Sequence, residues 1–247
     1  MKKYVFLLFA ALLGSVTCVF AKDTLVTWNA PAGVALNSDF TVKVRQLDGE
    51  WNILSTYLIK VDEVRDTKHY VERASMATFD FTGKVEVAVT YNWGEVQTAK
   101  VRPLSYDIPF QINGNTVTFE RPRNLSVEVN GDIFHNLHLF AGHPERMIPD
   151  KDDPEILYYG PGIHTVENGE LKVPSGKTVY LAGGAVLMGR ILIENVHDVK
   201  LLGRGIIDHS IKGGIRIANS RNVYVEGIVA TQCATGGSEN VTIRNVK

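Results

Sequence analysis

Residues 191–225 carry one pattern twice: Ile191, Ile193, Asn195, Val199 and Leu201 are each followed 24 residues later by Ile215, Ile217, Asn219, Val223 and Val225. Apolar positions repeated at this interval mark supersecondary units that stack, because one unit alone cannot bury its hydrophobic row. Within each unit apolar residues alternate with polar ones and no helical period appears, so the units are short strands. Taking Val179, Val199, Val223 and Val241 as one equivalent position gives intervals of 20, 24 and 18 residues, with Leu181, Leu201, Val225 and Ile243 two places further on. The sequence therefore predicts a parallel β-helix whose strands hydrogen-bond from coil to coil at roughly 4.8 Å. Leucine-rich repeats share the period, but their dense Leu consensus and helical segment are missing; a flat sandwich is the other rival.

The punctuation agrees with coils. Gly183-Gly184, Gly203-Arg204-Gly205 and Gly227 follow the second apolar residue, where the chain must bend sharply. Asn195 and Asn219 recur at another corner, where asparagine is predicted to adopt the left-handed conformation and stack its amide on the next coil.

Upstream the period is different. Phe40-Thr-Val-Lys-Val-Arg, Lys84-Val-Glu-Val-Ala-Val and Thr116-Val-Thr-Phe alternate sides, with turns at Asp48-Gly49, Asn92-Trp93-Gly94 and Asn113-Gly114-Asn115. Leu125–Asp132 continues the pattern and Leu137–Ala141 reads as its last strand. Short strands punctuated this often predict a β-sandwich. The stretch from His143 to Glu155 carries Pro144, Pro149 and Pro154 and five acidic residues, the composition of an exposed connection.

The first residues belong to neither module. Lys2 and Lys3 precede an apolar run from Tyr4 to Leu13, and Val19-Phe20-Ala21 has the small residues of a cleavage site, so residues 1–21 read as a secretory signal peptide. Gly14, Ser15 and Thr17 break that run before the length a membrane span needs, so no transmembrane span is expected in the mature chain. Cys18 could carry a lipid, but Thr17 is larger than the residue usual before a lipidated cysteine. Export to the periplasm or beyond is the expectation. Cys233 then stands alone, so stability must come from burial rather than a disulfide within the chain. With 26 basic and 27 acidic side chains and no basic run, nucleic acid is not expected as a partner.

The expected class is thus all-β: a β-sandwich at 22–143, a linker at 144–155, and the first three to four coils of a right-handed parallel β-helix at 156–247. Several stretches in this order resemble secreted polysaccharide hydrolases of glycoside hydrolase families 49 (dextranases) and 28 (polygalacturonases). They are Asn130-Gly-Asp-Ile-Phe-His-Asn-Leu-His-Leu-Phe-Ala, Tyr159-Gly-Pro-Gly-Ile-His, Val173-Pro-Ser-Gly-Lys-Thr-Val-Tyr-Leu-Ala-Gly-Gly-Ala-Val-Leu and Gly203-Arg-Gly-Ile-Ile-Asp. A sandwich preceding the β-helix is closer to the dextranase-type layout. The resemblance implies a polysaccharide substrate and hydrolysis with inversion, in which one carboxyl protonates the leaving oxygen and another, roughly 6.5 to 9.5 Å away, activates water. It also implies an adjacent Asp-Asp pair on coils beyond Glu239–Val246. The only such pair, Asp152-Asp153, lies ahead of the first coil. The expectation is a fragment whose catalytic carboxylates lie past Lys247 and which is inactive alone. A β-helix lyase and a non-catalytic surface binder are the alternatives.

Within the chain no residue is assigned a catalytic, substrate-binding or metal role, and no cofactor is implied. Oligomeric state is left open. Asp208, with His209 beside it, is the most inviting carboxylate, but it reads as a corner aspartate bonding backbone amides. His135 and His138 fall on opposite faces of a strand, and His143 adds no ligand set for zinc. Asp150, Asp152, Asp153 and Glu155 lack the calcium-loop spacing and read as a solvated loop. Trp28, Trp51 and Trp93 would make the sandwich a sugar-binding module only if their rings faced water. The Asn124 and Asn240 sequons sit in strand patterns and read as chance, and the Gly160-Pro-Gly and Gly203-Arg-Gly pairs lead into no helix, so neither is a phosphate loop. Cys233 reads as a small inward or corner residue.

Overall fold

The computed structural model describes residues 23–208 and 213–247; the segment read from sequence as a signal peptide, with Cys18, and His209 lie outside the described residues. Among the described residues the regular secondary structure is all strand save one 3₁₀ turn at Leu104–Tyr106, and no helix is long and apolar enough to cross a membrane.

Eleven strands form the N-terminal module: β1 (Leu25–Thr27), β2 (Phe40–Gln46), β3 (Asn52–Ile53), β4 (Tyr57–Arg65), β5 (Lys68–Phe81), β6 (Val85–Tyr91), β7 (Ala99–Arg102), β8 (Phe110–Asn113), β9 (Thr116–Glu120), β10 (Leu125–Val129) and β11 (Asp132–Gly142). One sheet has the order β3-β2-β6-β9-β8; the other runs β1-β5-β11-β10-β7, with β4 also on β5. Strict alternation explains how they close. Phe40, Val42 and Val44 of β2 and Val85, Val87 and Val89 of β6 face Ala77 and Phe79 of β5 and Leu137 and Leu139 of β11 across one buried core.

The β4–β5 hairpin differs from the short strands expected throughout this module. β5 runs for 14 residues, and the turn uses Asp66 and Thr67, both with positive φ (47° and 70°). That is the twist a two-residue hairpin needs, made without the Asn-Gly or Asp-Gly that announces it in sequence.

The second module is a parallel β-solenoid of about four turns, built from β12 (Ile156–Tyr159), β13 (Gly162–Lys172), β14 (Thr178–Leu181), β15 (Ala185–Glu194), β16 (His197–Gly203), β17 (Ile206–Asp208), β18 (Ile215–Ala218), β19 (Arg221–Glu226), β20 (Cys233–Gly236) and β21 (Glu239–Arg244). Its sheets have the orders β12-β14-β16-β19-β21 and β13-β15-β18-β20, with β17 also on β15. The 24-residue repeat is reproduced residue for residue: Ile191 pairs with Ile215, Ile193 with Ile217, Val199 with Val223 and Leu201 with Val225. Cys233 continues the inward column of Ile191 and Ile215.

The first interval requires a correction. Val179 pairs with Leu201 rather than Val199, so the inward column runs Leu157, Val179, Leu201, Val225, Ile243. A shift of two keeps every side chain on its own face, so alternation alone could not distinguish the registers. The bend does. Gly203 lies against Leu181 with φ 124°, and a Cβ there would stand 1.9 Å from the Leu181 carbonyl oxygen. The other register would bring Leu201 to that place.

Asn195 and Asn219 are left-handed, with φ 56° and 49°. The side-chain ladder, however, stands at Asp198, Asn222 and Asn240, all with positive φ. Asn222 Nδ2 donates to Asp198 Oδ1 and Asn240 Nδ2 donates to Asn222 Oδ1, each at 2.8 Å. The amide of the Asn240 sequon is thus committed to the ladder, whereas Asn124 is exposed. Asn222→Ala should cost about 1–2 kcal/mol, from two lost amide bonds and the strained backbone. Asn222→Gly should recover the backbone share, with urea midpoints as the readout.

Candidate functional site

Alternation in β5 sends Ala77 and Phe79 into the sandwich core, leaving Met76 and Asp80 on the opposite face, toward the solenoid. Met76 packs with Tyr57, Phe140, Ile206 and Val229. Asp80 meets Arg204, which sits on the glycine-flanked bend between β16 and β17. Arg204 Nε donates to Asp80 Oδ2 at 2.6 Å, and its Nη1 and Nη2 donate to the Gly203 and His143 carbonyls, each at 2.9 Å. The two side chains are 1% and 6% exposed, so this is an ion pair fully withdrawn from water. Gly142 makes room for it, because a Cβ there would stand 2.6 Å from Asp80 Oδ1. Burial raises the Asp80 carboxyl above its ordinary value, and the Arg204 charge works against that rise. Lys247 is half-buried close by with its Nζ withdrawn from water, and burial lowers its ammonium to about 8 despite the attraction of Asp80.

Beside this pair the connecting segment 141–147 lies against the outward face of β16, β19 and β21 and encloses a cleft of about 590 Å³. Pairing in register builds its floor: Lys200 stands beside Tyr224, and Leu202 beside Glu226, which stands beside Arg244. Glu145, in what the composition suggested was an exposed connection, is drawn inward; Tyr180 donates its hydroxyl to Glu145 Oε2 at 3.0 Å, and Arg204 lies 4.0 Å from Glu145 Oε1. Burial pushes the Glu145 carboxyl up, with Arg204 and the Tyr180 hydrogen bond opposing. Tyr224 donates its hydroxyl to Glu226, which raises the phenol, and Arg244 reaches the same hydroxyl. The cleft thus presents an aromatic edge, carboxylates and several cations on a rigid sheet, an arrangement suited to a polar, ring-shaped ligand.

Of the residues named from sequence, Ala141, His143, Pro144, Gly203 and Arg204 line the cleft, and of the side chains weighed there as catalytic or metal-ligating only His143 does. Asp208 is the last residue of β17, in register with Met188, and it borders a separate, more apolar crevice with Tyr57 and Met76. His135 pairs with Asp132 and Glu72, while His138 is half-buried near Phe140 and burial lowers its pKa. Among the described residues no three His, Cys, Asp or Glu side chains gather as a metal site. Asp150 and Asp153 cap their own turns by accepting the Asp152 and Glu155 amides, and Glu155 pairs with Lys177.

The tryptophans form no common platform. Trp28 lies over Gly183, where a Cβ would stand 2.0 Å from its Nε1. Trp51 stacks under Arg45 near the far end of β2, and Trp93 donates to Asp39 at the near end. The cleft residues Lys200, Tyr224, Glu226 and Arg244 escaped the sequence reading because they occupy the outward half of each repeat, and only the inward half was aligned. Carrying the same spacing to outward positions would have put them in columns.

No protein-family model matches the chain, and no curated protein matches it. Among solved structures the chain is similar to Dex49A from Penicillium minioluteum, with a TM-score of 0.65 and 15% sequence identity over 89% of this chain. The match spans 62% of the Dex49A chain. At that identity the likeness is one of fold.

Proposed function

We propose that this is an exported protein acting on a polysaccharide, of the β-helix glycoside hydrolase type. The observation that carries the reading is the architecture: a sandwich docked on a parallel β-solenoid, shared in fold with Dex49A over 89% of the chain and in line with the sequence resemblance to families 49 and 28. In such a solenoid, side chains on successive coils project at fixed spacing and can hold a polymer lengthwise. Under this reading cleavage proceeds with inversion by two carboxylates flanking the scissile bond. Those carboxylates stand on coils following β21, and residues 1–247 alone release no sugar.

Sequencing the gene past codon 247, then assaying the 247-residue chain and any longer product on dextran and polygalacturonate, tests this. The expected result is further Val-x-Ile coils with an adjacent Asp pair, and new reducing ends from the longer product only. Unsaturated sugar ends would replace hydrolysis by elimination. A stop codon after Lys247, with no cleavage of either polymer, would overturn the hydrolase reading in favour of a non-catalytic binder.

A further inference from the structure

We propose that the cleft between segment 141–147 and the outward face of β16, β19 and β21 is a binding subsite for an anionic saccharide, one whose rings bear carboxylates. The inference rests on the polysaccharide reading above and adds to it where sugar sits and what charge it carries. Four basic side chains line the cleft (Arg146, Lys200, Arg204 and Arg244) against the carboxylates of Glu145 and Glu226. Asp80, behind the wall, already answers Arg204. Glu226 accepts from Tyr224, whose hydroxyl Arg244 also reaches.

Arg146 and Lys200 remain. Both are exposed, and neither makes an ion pair among the described residues. They stand on opposite sides of the cleft, one on the connection and one on the sheet, with Tyr224 next to Lys200 one coil on. Adjacent coils are roughly 4.8 Å apart, comparable to the advance of one pyranose ring along an extended chain, so successive rings can meet successive outward columns. A neutral sugar offers these cations only hydroxyls. A uronate offers charge-assisted hydrogen bonds, roughly twice as strong as neutral ones. With a formal net charge of −1 the chain as a whole is no general polyanion trap, which makes the local excess of cations informative.

Calorimetric titration of the 247-residue protein with trigalacturonate, and separately with isomaltotriose, tests the proposal. Trigalacturonate should bind at least about tenfold more tightly, the value of one charge-assisted bond. Lys200→Glu and Arg146→Glu, both at exposed positions, should each weaken trigalacturonate at least about tenfold while leaving the circular dichroism unchanged. Added salt should weaken binding to the parent protein.

If trigalacturonate binds and neither substitution matters, the subsite is elsewhere and the inference falls, though a polysaccharide partner stands. Tighter binding of isomaltotriose removes the charge argument and likewise leaves the broader reading intact. Binding of neither overturns the inference. The broader reading then depends on the cleavage assay, which does not use this cleft.

Discussion

Arg204→Ala is expected to lower the unfolding free energy by about 3–5 kcal/mol, the range for breaking a buried ion pair by removing one partner. The magnitude follows from what stays behind. Asp80, 1% exposed, keeps its carboxylate between β5 and the solenoid but loses its guanidinium, and the Gly203 and His143 carbonyls lose their donors. Attraction between the partners gives a smaller number than this, because forming the pair also costs desolvation of both. The paired replacement Asp80→Leu with Arg204→Met should therefore recover part of the loss, since carboxylate and guanidinium leave together while the Lys247 ammonium and the Glu145 carboxyl each lose an opposite charge. Arg204→Lys should fall in between: it keeps the charge and gives up the planar fork that reaches two carbonyls as well as the carboxylate. Urea unfolding of the four proteins decides. A single substitution costing under about 1 kcal/mol would mean that the docked modules do not depend on this contact.

The ion pair also marks where sequence reading stops. In β5 the run Ala77-Thr-Phe-Asp-Phe81 alternates cleanly, so the core-facing set is legible; the same alternation assigns Asp80 to solvent. That assignment fails only because a second module, more than a hundred residues later, brings Arg204 to cover it. Periodicity reports which residues share a face and says nothing about what that face meets. Hence the repeat of Ile191 to Val225 could be read in register, and the sandwich and solenoid assigned, while the docked face between them was silent. The cleft suffered for the same reason. Glu145 lies in a Pro- and acid-rich connection whose composition argues for exposure, and its burial depends on Tyr180 and Arg204, neither of them near in sequence. The misplaced first interval is a different kind of error. The apolar residues at 179, 181, 199 and 201 keep the same face in either register, and backbone space at one glycine chooses between them.

That glycine carries the second large effect. Gly203→Ala should cost about 3–6 kcal/mol, more than its single added methyl suggests. A Cβ at 203 would stand 1.9 Å from the Leu181 carbonyl oxygen and 2.7 Å from its carbon, and the backbone holds φ 124°, where an L side chain is strained. Leu181 cannot simply retreat, because its oxygen accepts the Arg204 and Gly205 amides at 2.9 and 3.0 Å. Any movement that relieves the clash opens both bonds and shifts the bend carrying the Arg204 guanidinium. The substitution should therefore act through two structures at once, the coil-to-coil stack and the ion pair that docks the sandwich. Combined with Arg204→Ala it should be less than additive, since the pair would already be lost. Gly131→Ala supplies the control: φ is 83°, nothing lies within 4 Å of the new methyl, and the expected cost is backbone strain alone, about 1–2 kcal/mol. Equal urea midpoints for the two alanine variants would show that space at the bend does not set the register of the first coil.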